Sequence, residues 1–350
     1  MKKEFKVILY SVLNMRSEKQ EKELYDLFSG ELDWTVIAGL LVNHRLGGYF
    51  LKNLPKDLYK KVPKEIRKNL ELLQLAQKEQ IKEISKVASP VFEDFDKENV
   101  RYAALKGLVL NASLYKPGDR RSNDSDILVY EGDLDKIDKI LRDHGYIQTL
   151  LHNGEYKEAT RREKLIQRMN YHDLVPYVKK CEKDFLDMHE FDINFHFDSK
   201  NNDVTLSVIE HGLREYENDF YKVKGLDYDT NLVYLCVHFF REGSNTLWTS
   251  GKRDLVLYKL VDVYNAFKLC EEKNLLDSWS DLVKEFNVQK AAYYTLYVLN
   301  EFYEDEKVKE LMNKLKVEDE SYIFDVVVEG KNITMKREKT FVEDAFDLVY

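Results

Sequence analysis

Asp124 and Asp126 flank a serine at the head of the apolar run Ile127-Leu128-Val129. On a strand, residues two apart point to one face, so the two carboxylates would stand side by side. Like charges that close repel unless a cation sits between them. All-oxygen ligands select magnesium or manganese over softer metals. The pair taken alone favours a solvated turn, because Ser122 and Asn123 precede it. A third acid sharpens the reading. "HEFDINFHF" places Asp192, Asn194 and His196 on one strand face and Phe191, Ile193, Phe195 and Phe197 on the other. Asp192 is the candidate third metal ligand, against the alternative of a salt-bridged edge residue. Asp187 and Glu190 are reserve acids in the same stretch. Upstream, Lys106-Gly107 joins an apolar segment to a helical one. A glycine there allows a tight turn, the N–H groups that follow can face an anion, and Lys106 adds a positive charge for phosphate. Arg120 and Arg121, just before the acids, are either phosphate contacts or solvated turn charges.

The elements that must hold these residues follow from periodicity. "VRYAAL" reads as a strand, "LVLNASLY" as a short helix after Gly107, Pro117-Gly118 as a turn and "DILVY" as the next strand. "DLDKIDKILRDHGY" is an amphipathic helix with Gly145 at its stop. "YHDLVPYVKK" and "FDINFHF" supply further strands. Helices lie on both sides of this unit. "SEKQEKELYDLFSG" ends at Gly30, and "DWTVIAGLLVNHRLGGYFLKNL" has Asp33 as N-cap. A long helix runs from Lys64 to Val87, and Ser89-Pro90 is expected to break or kink it. From about Ser207 helices return through "TNLVYLCVHFFREG" and "DLVLYKLVDVYNAFKLCEEKN". Two more are expected near Ser278–Phe286 and Gln289–Glu301. The β-branched tail around Gly330-Lys331 reads as a hairpin. The fold class is therefore α/β (α+β), with a mixed sheet between helical regions. The expected divisions are 1–95, 96–206, 207–318 and 319–350.

In this order of elements the chain resembles the nucleotidyltransferase superfamily of the DNA polymerase beta type, and more narrowly the bacterial uncharacterised nucleotidyltransferase family. "YAALKGLVL" resembles that family's Leu-Lys-Gly motif, and "RRSNDSDILV" its Arg-x-x-Asp-x-Asp-Leu-Leu-Val motif. "DWTVIAGLLVNHRLGGYFLKNL", "GDLDKIDKILRDHGY", "LVYLCVHFFREG" and "LYKLVDVYNAF" resemble its helices. The resemblance runs from about Asp33 to Phe267. It implies a nucleotidyltransferase-type core and two-metal transfer of an NMP from an NTP, with ATP the expected donor. Asp124, Asp126 and Asp192 would hold Mg2+ or Mn2+, and Lys106, Gly107 and Arg121 would bind the nucleotide. Two positions depart from the pattern. Leu108 stands where a phosphate-binding serine is usual, and Asn194 takes the place of a histidine, leaving His196 two residues further on.

Bulk properties narrow the acceptor. A net charge of −9 argues against long nucleic acid and leaves a small molecule, peptide or protein as acceptor. With 14 Gly and 5 Pro, extended low-complexity linkers are not expected. Cys181, Cys236 and Cys270 lie far apart, which fits small buried side chains in a reducing cytoplasm and neither a disulfide framework nor a zinc site. No apolar stretch reaches the roughly 18 residues of a membrane span, and the N-terminus reads as a structural element and not a signal peptide. His172 and His238 read as packed or surface residues. Asp262 reads as an internal partner of the C-terminal helices or a group lining the acceptor side. Two other functions fit parts of the pattern. One is a non-catalytic nucleotide- or protein-binding module on the same scaffold. The other is a D-x-D glycosyltransferase, disfavoured because there the acids usually follow the apolar strand.

Overall fold

The computed structural model describes every residue except 153–154, 172, 199–202 and 348–350. His172 thus lies outside the described residues. The chain forms two compact units: Leu72–Asp227, and Met1–Glu71 together with Tyr228–Tyr350.

The Leu72–Asp227 unit is built on an eight-stranded sheet. Its strands are β1 (Tyr102–Ala104), β2 (Asp124–Val129), β3 (Ile147–His152), β4 (Glu155–Glu158), β5 (Tyr177–Lys180), β6 (Met188–Asn194), β7 (Leu213–Glu217) and β8 (Lys222–Leu226). Their spatial order is β4-β3-β5-β6-β2-β1-β8-β7. β2 lies parallel to β6 and β1 parallel to β8, while the remaining neighbours are antiparallel. β2 is central, which explains why Ile127, Leu128 and Val129 follow one another with no polar alternation: all three are buried. The long helix buries Ile81, Ile84, Ala88, Val91, Phe92 and Phe95, a stripe at three- and four-residue spacing. Its Phe92 meets Phe191 of β6 edge-on at 5.6 Å and stacks on Tyr102 of β1. The Leu134–Asp143 helix covers the same face, where Tyr177 donates to Asp138 at 2.6 Å.

Three expectations are corrected here. Pro90 does not end the long helix, which runs unbroken from Lys64 to Lys97; Pro90 lies on its exposed side, and the apolar stripe on either side of it stays packed. The return to helix at Ser207 is interrupted by the β7–β8 hairpin, which completes the sheet, so this unit ends near 227 and not 206. β3, β4 and the Arg161–Tyr171 helix, unforeseen from the sequence, extend its other edge.

The second unit joins the two ends of the chain, so 1–95 and 207–318 do not stand as separate domains. Ser17 caps the Glu18–Ser29 helix in a reciprocal box with Gln20, and Asp33 caps Trp34–Asn43. The later helices Tyr228–Gly243, Leu257–Glu272, Leu276–Glu285, Gln289–Tyr303 and Glu306–Leu315 pack around Trp279, Tyr264 and Phe267. Asp262 is an internal partner, accepting from Tyr49 Oη at 2.8 Å. His238 lies 3.4 Å from buried Glu242. The tail forms the expected hairpin, β9 (Asp325–Val327) with β10 (Thr334–Lys336), and turns at Gly330, whose φ is +71°. A helix, Phe341–Phe346, follows. All three cysteines are free thiols, Cys236 and Cys270 buried. Among the described residues no helix is long and apolar enough to cross a membrane.

Candidate active site

Parallel pairing of β2 with β6 sets Asp124 opposite Glu190 and Asp126 opposite Asp192. Strand alternation turns all four to one face, with Ser125, His189 and Phe191 on the other. The first face therefore carries a two-by-two array of carboxylates, and the second is the one covered by helices. Asp126 is only 4% exposed, whereas solvent reaches Asp124 at the strand entrance.

The electrostatics are those of crowded acids. Burial raises the pKa of Asp192 well above the usual carboxylate range, and the charges of Asp126, Glu190 and Asp124 add to the effect. Atoms crowded around its carboxylate and the Asp126 charge raise Asp124 even though solvent reaches the residue, and burial and Asp124 raise Glu190. Two cations answer this charge. Lys106 Nζ donates to Asp126 Oδ1 at 2.6 Å, and the Arg120 guanidinium lowers Asp124 from nearby.

The turn after β1 brings Lys106 into place. Leu105 N donates to the Asp126 carbonyl, locking the turn against β2. Lys106 itself has φ +43°, a left-handed conformation that non-glycine residues adopt at a cost. No side chain caps the Lys106–Ser113 helix; Leu108 N donates to the Leu105 carbonyl at 3.2 Å, and the helix start presents its positive dipole end to an anion. Gly107 is required by close approach, since a Cβ there would fall on Ser122 Oγ and crowd Arg120 Nη1. Ser122 Oγ accepts from Asn111 Nδ2 at 2.9 Å and from Arg120 Nη1 at 2.8 Å. Its own proton is thereby aimed away from both donors. A hydroxyl thus reaches the turn from position 122, although Leu108 brings none.

Of the residues singled out from the sequence, Asp124, Asp126, Asp192 and Lys106 come together, with Gly107 behind them. Arg121 does not join them: it is exposed and donates to Asn123 Oδ1 at 3.1 Å. Its neighbour Arg120, 7% exposed, takes the inner position. Asp187 precedes β6 and is exposed; its carbonyl accepts from Cys181 and Glu182. His196 lies beyond the end of β6, 3.8 Å from Asp203, and so leaves the strand face expected for it. Glu190 moves from reserve to full member. Ser122 and Asn111 were missed, because only the fold brings a loop hydroxyl against a glycine fifteen residues away.

The donor set suits a hard divalent cation: four carboxylates on one face with their negative charge incompletely answered. Among the described residues no three Asp, Glu, His or Cys side chains close on a single metal position as they stand. Lys106 already occupies Asp126 Oδ1, so a metal there would require the lysine to move.

A mixed sheet with paired acids on neighbouring parallel strands, beside a Lys-Gly turn, is an α/β arrangement able to handle phosphate. The model of the family described as uncharacterised nucleotidyltransferase matches residues 30–304, and the chain belongs to that family. That span contains the expected Asp33–Phe267 and extends past it at both ends. No curated protein matches. Among solved structures, the chain is similar to that of an antigenic nucleotidyltransferase-like protein from Paracoccidioides brasiliensis. The two are 13% identical, with a TM-score of 0.31 over 56% of this chain and 91% of that one.

Proposed function

We propose that this nucleotidyltransferase moves an NMP from an NTP, with ATP the expected donor, onto a hydroxyl of a small-molecule, peptide or protein acceptor. The observation that carries the reading is the β2–β6 register, which sets Asp124 and Asp126 beside Glu190 and Asp192. Asp124, Asp126 and Asp192 would hold divalent magnesium or manganese. Bound there, such ions supply charge neutralisation for the triphosphate and polarise the reacting oxygens. The acceptor oxygen attacks the α-phosphorus, the bond from that phosphorus to the α–β bridging oxygen breaks, and pyrophosphate leaves. The acceptor proton passes to Asp192. Lys106, Arg120, the Ser122 hydroxyl and the helix start at Gly107 bind phosphate oxygens and hold the chain in line. The surplus of acidic residues supports an acceptor other than long nucleic acid. The arrangement also supports descent from the DNA polymerase beta-type superfamily.

The test is transfer from α-labelled NTPs with Mg2+ and a panel of hydroxyl acceptors. Asp124→Ala with Asp126→Ala should lower transfer by at least about a thousandfold. Unchanged transfer would remove the assignment. The binding-module reading gains only if NTP binding, measured by calorimetry, ignores both Mg2+ and these substitutions.

A further inference from the structure

Lys106 is held where a metal would have to arrive. Its ammonium lies 2.6 Å from Asp126 Oδ1, and the Asp126 side chain is 5% exposed against 21% for Lys106. The acid is thus walled in, while the lysine enters from the open side on a flexible four-carbon stem. Arg120, the other cation near the array, is tied to the Arg121 carbonyl and Ser122 Oγ, so its position is fixed. Lys106 also holds a left-handed backbone, with φ +43°, a conformation that costs a lysine energy.

We propose that Lys106 is a specificity-determining counter-ion that makes the site select a metal–nucleotide complex over bare metal. This rests on the metal-site reading above. In the absence of nucleotide, the ammonium occupies Asp126 Oδ1, and a free divalent ion must break that ion pair to reach the oxygen. A metal arriving with a triphosphate brings its own destination for the lysine. Nζ leaves Asp126 and pairs with a phosphate oxygen, so no charge is stranded. The same residue therefore opposes metal alone and favours metal with nucleotide.

The experiment is titration of the full chain with Mn2+, followed by paramagnetic resonance or calorimetry, with and without a non-hydrolysable ATP analogue. Lys106→Met should bind Mn2+ alone about fivefold more tightly than wild type and the Mn2+–nucleotide complex more weakly. Lys106→Arg should restore resistance to bare metal. Thermal melting separates this from a merely structural role. Lys106→Met should melt below wild type in chelator, and the difference should close on adding Mn2+. Loss of affinity for bare Mn2+, or a melting deficit that persists with metal, overturns the proposal. If wild type binds Mn2+ but Asp126→Asn binds it equally well, the metal-site reading fails and the proposal with it. If binding needs Asp126 and yet Lys106→Met leaves it unchanged, only the Lys106 proposal fails.

Discussion

In the proposed mechanism Asp192 carries a conflict between folding and function. Its pKa is raised in the folded chain by burial and by three neighbouring acids. A carboxyl whose folded pKa lies above its unfolded value contributes stability that is present at low pH. That contribution is lost as pH rises through the folded value. Asp192→Asn should therefore stabilise the protein in chelator at neutral pH, by about 1–2 kcal/mol, while abolishing transfer. Paired urea melts and activity assays check this, and an unchanged or lower midpoint would contradict it. The signal for this residue was legible in the sequence, because an acid flanked by Phe191 and Ile193 has to face away from the core. Glu190 was harder to rank. Its importance depends on a parallel register that no local pattern encodes, since the pairing residues are 66 apart.

At the level of elements, β2 and β6 are stapled from behind. Ser125 Oγ lies 2.9 Å from His189 Nε2, and Tyr146 Oη lies 2.7 Å from His189 Nδ1, all three deep in the unit. Burial pushes the His189 pKa down to about 3, so the ring is neutral, with one nitrogen donating and the other accepting. The unfolded chain binds a proton here near the ordinary pKa of about 6.5, so this stability is complete above that value and falls as pH drops toward 3. His189→Gln should flatten the pH dependence of unfolding, removing up to about 2 kcal/mol of the wild type's loss at pH 5. Denaturant midpoints at pH 5 and pH 7.5 measure it; parallel curves for the two proteins would refute it.

Elements with strong periodicity or caps were readable: β1, β2, the Leu134–Asp143 helix and the capped helices near the N-terminus. The misses share a cause. β3, β4 and β7 have little apolar alternation because they lie toward the sheet's edges, where Leu151, Tyr156 and Leu213 are exposed. Pro90 misled because a proline on the exposed side of a long, well-packed helix is carried by the packing around it.

Across the whole molecule, the chain leaves one unit near Glu71 and returns to it at Tyr228, so the C-terminal tail belongs to the same body as the N-terminal helices. Arg337 shows how the tail is fastened. Its buried guanidinium pairs with Asp254 at 2.6 Å, contacts Asp344 and donates to the Gly243 carbonyl. Arg337→Met leaves Asp254, 3% exposed, without this partner, and should cost about 3–5 kcal/mol. Calorimetry would show the loss as a lower melting temperature; a shift under about 2 °C would argue against the clasp.

The four-acid register also has a consequence in time. β2 and β6 are distant in sequence and parallel, a pairing that is slow to find because the loop must close before contacts reward it. Here closure also drives acid against acid, so electrostatic repulsion adds to the barrier. Salt screens that repulsion, and refolding from urea should accelerate as ionic strength rises. The pairing of β2 with β6 during folding is then opposed by the same charges that make this face a candidate metal site.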